Sequence, residues 1–292
     1  MATSVVDPLA ETLQAPEQVK VAALQMVSGP DAEANFARAS ALLHEAQSQG
    51  VELAVLPENF LTYGQKNKPS ITAQKAFITR MSRLTQSLGM WVVAGSYPIS
   101  PEVLDEPIPE GEGEGKHFAA CLTFNDQGDV VDHYLKVHLF DAMVGDAVKT
   151  YRESDEYYHG SAVSCVPSPY HALGVAVCYD LRFPELFTRL AQQGARIICI
   201  PSAFTETTGR AHWELLLRAR AVETQCYIVA ANQGGIHDKG RSTWGHSMIV
   251  SPWGEILAQT TTGEALVCAT LDMRALSDIR TNMPVQSHRR LV

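Results

Sequence analysis

Two apolar runs, Val19 to Val27 and Val51 to Leu56, bracket a stretch in which Phe36, Ala39, Leu43 and Ala46 recur at helical spacing and Gly50 supplies a stop. The period changes from strand-like to helix-like and back within a short span, so the chain opens on a strand–helix–strand unit. The theme repeats. Phe77, Met81, Leu84 and Leu88 mark a second helix leading to a strand at Met90 to Ala94. Later, a strand at Ile197 to Ile200 precedes a helix at Ala211 to Glu223 and a strand at Tyr227 to Ala231. Helices flanking mostly buried strands predict an α/β fold. With 292 residues, 46% of them hydrophobic, the chain can bury a sizeable core, and folds of this kind and length can form one domain.

Three reactive side chains interrupt these runs. Cys178 ends the strand-like Gly174-Val175-Ala176-Val177, and Pro184 restarts the chain as a helix, which predicts a strand-to-helix elbow. A thiol near a helix start meets free backbone N–H groups and the positive dipole end, which favour thiolate and stabilise a developing anion. Taken alone, Cys178 is explained more simply as a buried strand residue. Glu58 follows the strand Leu53-Ala54-Val55-Leu56-Pro57, and Lys136 lies within Tyr134-Leu135-Lys136-Val137. Each alone reads as a solvent-facing side chain.

Together, Leu56-Pro57-Glu58, Lys136-Val137-His138 and Cys178-Tyr179-Asp180-Leu181-Arg182-Phe183 make the chain resemble the nitrilase superfamily of carbon–nitrogen hydrolases. The resemblance runs from Val19 to Arg280. The stretches Pro201 to Thr205, Thr208 to Glu214, Leu217 to Glu223, Gly245 to Met248 and Ser251 to Gly254 look like the amidase group containing deaminated-glutathione amidase and omega-amidase. Residues 216 to 226 are closer to the former.

The resemblance implies a four-layer αββα sandwich of the nitrilase type. It makes residues 19–292 a single domain after an N-terminal extension at 1–18, with a tail from Arg274 to Val292 that contacts a partner in a homodimer or higher homo-oligomer. It implies a thiol amidase that converts a small carboxylate-bearing amide to acid and ammonia through a Cys178 thioester. Deaminated glutathione is the expected substrate; 2-oxoglutaramate or another short-chain amide is the alternative.

Glu58 would take the Cys178 proton and pass it to the leaving nitrogen, while Lys136 and the Tyr179 backbone N–H hold the oxyanion. These roles need a buried Glu58 and a Lys136 kept charged by nearby carboxylates. Glu153 would orient the lysine and the substrate amide, Arg182 would bind a substrate carboxylate, and Phe204 would wall the pocket. Each has a plainer account. Glu153 could be a solvated loop residue beside Asp155 and Glu156, Arg182 an ion-pair partner of Asp180 or Glu185, and Phe204 core. The family often has an asparagine where this chain has Ala119, so hydrogen bonding there is expected to differ.

Composition restricts the rivals. A net charge of −9 without a basic patch argues against a nucleic-acid partner. Met1 to Pro16 lack a basic start and an apolar core, so no secretory signal is expected, and no run approaches the roughly eighteen apolar residues of a membrane span. Six cysteines without a C-x-x-C pair favour reduced thiols in a cytoplasmic protein. No H-E-x-x-H occurs, so no metal is expected, and His212 reads as a hydrogen-bonding core residue. No cofactor is implied.

A Cys–His peptidase lacks a histidine pattern near Cys178, and Gly245-His246-Ser247-Met248-Ile249 lacks the second glycine of a serine nucleophile elbow. Pro98 to Lys116 reads as an acidic Pro/Gly loop between two strands, whose glutamates disqualify its glycines as a phosphate cradle. That loop could serve a non-catalytic binding scaffold. Such a reading is disfavoured by the intact Glu58, Lys136 and Cys178.

Overall fold

Alternate residues of the first strand, β1 (Gln18–Gln25), are buried on opposite faces. Val19, Val21 and Ala23 join one apolar cluster, Ala22 and Leu24 another. A strand apolar on both faces needs a layer on each. In the computed structural model, which describes residues 16 to 290 apart from 66 and 147, those layers are a second sheet and a pair of helices. Residues 1–15 of the expected extension lie outside the described residues, and Gln18 already belongs to β1.

The first helix, α1 (Ala32–Ser48), starts at Asp31, whose carboxylate accepts the N–H groups of Glu33 and Ala34. Next come β2 (Leu53–Val55), α2 (Ile71–Leu88) and β3 (Trp91–Val93); β1, β2 and β3 pair in parallel. β4 (Tyr97–Ile99), a short α3 (Pro101–Leu104), β5 (His117–Phe124) and β6 (Val130–Leu135) complete this half by antiparallel pairing. A separate hairpin, β7 (Asp141–Met143) and β8 (Thr150–Arg152), projects from it before β9 (Tyr157–Tyr158) returns to β5.

The second sheet runs in sequence order: β10 (Ser164–Val166), β11 (Leu173–Val175), β12 (Ile197–Ser202), β13 (Tyr227–Asn232), β14 (Met248–Val250) and β15 (Ile256–Gln259). Outside it lie α4 (Pro184–Gln192) and α5 (Glu206–Thr224). β16 (Ala265–Asp272) crosses back to pair antiparallel with the whole of β1, and α6 (Met273–Asn282) follows.

Between the sheets, Val21, Val55, Val93 and Cys121 pack with Val175, Cys199 and Val229. Leu42 and Leu43 of α1 and Phe77 and Met81 of α2 cover the outside of the first sheet. Leu186 and Leu190 of α4 with Trp213 and Leu217 of α5 cover the second. This is the expected four-layer αββα sandwich.

One stretch differs from expectation. Pro98 is not loop but part of β4, at the edge of its sheet, where a residue lacking N–H breaks no ladder. The acidic segment beyond α3 is tied down at its end: the Lys116 N–H donates to the Tyr158 hydroxyl, which donates to the Gly113 carbonyl. The C-terminal segment through Arg289 packs on the rest of the chain. Arg280 donates to the Gln225 and Ala195 carbonyls, and Gln286 and Arg289 donate to the Glu223 carbonyl.

The parallel strands place the chemistry. Glu58 follows β2, Cys178 follows β11, Phe204 follows β12 and Gln233 follows β13, all at carboxyl ends, where open α/β sheets form ligand crevices.

Candidate active site

Lys136 is the first residue past β6 and its backbone N–H still donates to the Ala119 carbonyl, so its side chain is fixed at the root. The residue is 1% exposed, and its Nζ donates to Glu58 Oε1 at 2.8 Å and to Glu153 Oε2 and Oε1 at 2.8 and 3.0 Å. An ammonium has three N–H donors and here faces three carboxylate oxygens, so a ligand oxygen takes up an N–H by displacing one of Glu153's two contacts. Burial works against the charge on Lys136, but Glu153 and Glu58 outweigh it and hold the ammonium's pKa well above the usual lysine value. Burial pushes the Glu153 carboxyl up, Lys136 pulls against it, and Glu58 pushes further in the upward direction.

Glu153 is no solvated loop residue. Its Oε2 also accepts the Phe140 N–H at 2.6 Å, while Asp155 and Glu156 face solvent. Glu58, 3% exposed, is held through its backbone. Gln233 Nε2 donates to the Glu58 carbonyl and to Ser28 Oγ, and Gln233 Oε1 accepts the Ser28 N–H. The turn before Glu58 leaves no room for a side chain at Gly95, which has φ +60°; a Cβ there would lie 2.2 Å from the Pro57 carbonyl oxygen.

Cys178 occupies the left-handed region at φ +49°, a conformation that costs a non-glycine residue about 1–2 kcal/mol and that surrounding structure must hold. It opens a 3-10 turn, Cys178–Arg182, and α4 begins only at Pro184. That helix start is as expected, but β11 ends at Val175, short of the cysteine on which the strand was expected to end. Burial and Glu58 work against the thiolate preference expected near a helix start. Burial, then Glu58, push the Cys178 thiol well above its usual pKa, against weaker opposition from Lys136 and the Ala203 N–H. Burial and the neighbouring Glu58 thus favour the protonated thiol.

Asp180, which the sequence offered only as a partner for Arg182, holds this turn. Fully buried, it accepts from the Val177 N–H at 2.9 Å, the Tyr134 hydroxyl at 2.7 Å and the His138 N–H at 3.0 Å; His138 Nδ1 lies 2.7 Å away. It thereby ties the nucleophile's turn to the segment that carries Lys136.

All the candidate residues, Glu58, Lys136, Glu153, Cys178, Tyr179, Arg182 and Phe204, line one cavity of about 330 Å³. Arg182 pairs with neither Asp180 nor Glu185. Its guanidinium lies 5.4 Å from the Phe204 ring and 5.7 Å from the Tyr179 ring, and Nη1 is 3.2 Å from His212 Nδ1. No carboxylate among the described residues pairs with it. His212 is thus exposed beside Arg182 rather than in the core, because its neighbour Trp213 takes the inward position on α5 and donates to the His246 carbonyl.

Phe204 fills both roles considered for it, packing on Trp213 at 4.9 Å while walling the cavity. The rival nucleophile Ser247 is fully buried and donates to Gln25 Oε1 at 2.9 Å, away from the cavity. Sequence reasoning missed Tyr63 and Arg241, which line the same cavity from two loops. Neither carries a local motif. Among the described residues, no group of three or more His, Cys, Asp and Glu side chains is placed to hold a metal.

The carbon–nitrogen hydrolase family profile matches residues 20–281. The chain is 37% identical to a deaminated glutathione amidase of Yersinia enterocolitica, over 94% of each chain. It is 38% identical to the human deaminated glutathione amidase, over 92% of this chain and 82% of that one. It is 36% identical to omega-amidase NIT2 of Bos taurus, over 93% and 95%. Among solved structures, the C. elegans NitFhit protein superposes with a TM-score of 0.83 at 32% identity, over 94% of this chain and 66% of that longer one. Saccharomyces cerevisiae Nit3, a member of the nitrilase superfamily, gives 0.80 at 29% identity, over 96% and 99%. The chain belongs to the carbon–nitrogen hydrolase family. No helix among the described residues is long and apolar enough to cross a membrane.

Proposed function

We propose that this carbon–nitrogen hydrolase is a thiol amidase whose substrate is a small carboxylate-bearing amide, deaminated glutathione above all, and that it works through an acyl-enzyme on Cys178. The observation that carries the reading is one ammonium, Lys136, clamped by Glu58 and Glu153 in a cavity shared with Cys178 and with an Arg182 that has no carboxylate partner among the described residues.

With burial and Glu58 favouring the protonated thiol, the attack of Cys178 draws on a base. Glu58 accepts the Sγ proton as sulfur bonds to the amide carbon, and the carbonyl oxygen takes up the displaced electron pair. The Lys136 ammonium and the Tyr179 N–H stabilise that oxygen. Glu153 keeps Lys136 aimed and charged, so the charge is in place before the reaction begins. Glu58 then gives its proton to the nitrogen as the C–N bond breaks, leaving a thioester. A water molecule, deprotonated by Glu58, attacks the thioester; the acid departs and Cys178 regains its proton.

Arg182 holds the acyl carboxylate with Phe204 beneath it. The nitrogen leaves as ammonia only from a primary amide. From a glutathione-derived peptide, whose amides are secondary, it leaves as an amine. A cytoplasmic homo-oligomer belongs to the same proposal.

A kinetic panel tests it: deaminated glutathione, 2-oxoglutaramate and a carboxyl-blocked analogue, scored by kcat/KM with ammonia and amine measured separately. The expected result is preferred turnover of deaminated glutathione with amine release and an acyl mass adduct on Cys178. Preference for 2-oxoglutaramate with ammonia release would make the protein an omega-amidase. Absence of turnover on every amide would remove the reading.

A further inference from the structure

Arg241 shares the cavity with Arg182 but keeps different company. Its guanidinium lies 5.0 Å from the Tyr63 ring and 5.2 Å from the Tyr151 ring, whereas Arg182 faces Tyr179 and Phe204. Arg241 Nε is buried without a hydrogen-bond partner, and no carboxylate pairs with the guanidinium among the described residues. Asp146, which acts on the same tyrosines, is already engaged by the Tyr151 hydroxyl and by the N–H groups of Val148 and Lys149. The Tyr63 side chain lines the cavity, is 4% exposed, and carries a buried hydroxyl with no partner. Burial pushes the Tyr63 phenol pKa up, so it stays a donor, and the phenol senses Arg241 as well as Glu58 and Cys178. Buried donors without acceptors are expensive unless a ligand supplies the acceptor.

We propose that Arg241 and Tyr63 form a second carboxylate-binding subsite, so that the preferred substrate carries an anionic group on the leaving side of the scissile amide as well as on its acyl side. This rests on the proposed amidase function. The acyl carboxylate is taken by Arg182, and Arg241, which faces a different pair of rings, is left for a carboxylate of its own. The second cation therefore selects for a charge on the departing amine. The C-terminal carboxylate of a glutathione-derived peptide is such a charge, and an ω-amide that releases ammonia has none.

The test compares glutarylglycine with glutarylglycinamide, which differ only in the carboxylate of the leaving amine. In the wild type, kcat/KM should favour glutarylglycine by on the order of tenfold or more, as a charge-assisted bidentate pair permits. Arg241→Met should lose most of that preference, and Tyr63→Phe part of it. No preference in the wild type, or a preference undiminished in Arg241→Met, overturns the subsite. The same pair is titrated calorimetrically into the Cys178→Ser protein. Tighter binding of glutarylglycine that is lost on adding Arg241→Met, alongside a wild type that turns over neither compound, would retain the subsite and discard the amidase reading. Equal binding of both compounds would discard the subsite whatever the turnover.

Discussion

The two ends of the cavity are built on opposite terms. At the reacting end Lys136 satisfies two carboxylates, and Asp180 draws in Val177, Tyr134 and His138. At the outer end Arg182 meets two ring faces and a histidine nitrogen, and Arg241 meets two ring faces, with no carboxylate for either among the described residues. A network complete before the substrate arrives spends nothing on reorganisation during bond making, which is where electrostatic catalysis gains most. Cations left incomplete gain their partner from the substrate and so discriminate between substrates. Damage to the first end should therefore lower kcat, and damage to the second should alter KM and preference.

The sharpest break is Cys178→Ala, which removes the covalent step. Hydrolysis should fall on the order of 10⁴-fold or more while circular dichroism melts stay close to wild type. Turnover at the wild-type rate would exclude the thiol. Next, Lys136→Met takes away the oxyanion's cation and leaves Glu58 and Glu153 unpaired; kcat should fall by roughly 10²–10³, the effect of about 3–4 kcal/mol. A drop below tenfold in steady-state assays would mark the lysine as structural.

Arg182→Lys moves the comparison to the outer end. A point charge does not reproduce a planar two-donor fork, so the preference for deaminated glutathione over its carboxyl-blocked analogue should shrink by about 1.5–3 kcal/mol. Equal losses on the two compounds would reduce Arg182 to a support for the nucleophile's turn.

The smallest effect is on stability. Burial holds the His237 imidazole, packed on Tyr63, below its usual pKa. As pH falls below the ordinary histidine range, the unfolded chain takes up a proton that the folded chain refuses, so stability declines with acidification. Tm should drop by a few degrees between about pH 7 and pH 5, and His237→Gln should flatten that slope. A slope unchanged by the substitution would place the acid sensitivity elsewhere.

The reacting end was legible because its members sit in local patterns: a carboxylate after a strand-ending proline, a lysine within an apolar run, a cysteine before a turn. Glu153 needed the family resemblance, since a glutamate beside Asp155 and Glu156 looks solvated until Phe140 and Lys136 are seen to face it. Pro184 marks the helix start correctly, but nothing local announces that β11 stops at Val175 or that Asp180 closes a 3-10 turn in between. Arg241 and Tyr63 left no trace: they come from loops far apart in the chain, and each alone is an ordinary loop residue. His212 failed for a rotational reason, since a step of one residue on a helix decides between core and solvent.

Glu58 and Lys136 hang from the first sheet, Cys178 and Phe204 from the second, and the side chains packed between the sheets, with the ties through Asp180 and Gln233, fix how far apart those groups stand. Facing sheets lie about 10 Å apart, and a displacement of about 1 Å at the chemistry can cost a hundredfold in rate. Val229, Val55 and Cys199 thus act as spacers in a catalytic distance they never touch. Volume changes there that folding would absorb should still be eliminated by selection on rate, and this interior should accept fewer substitutions than one of equal burial beneath the outer helices.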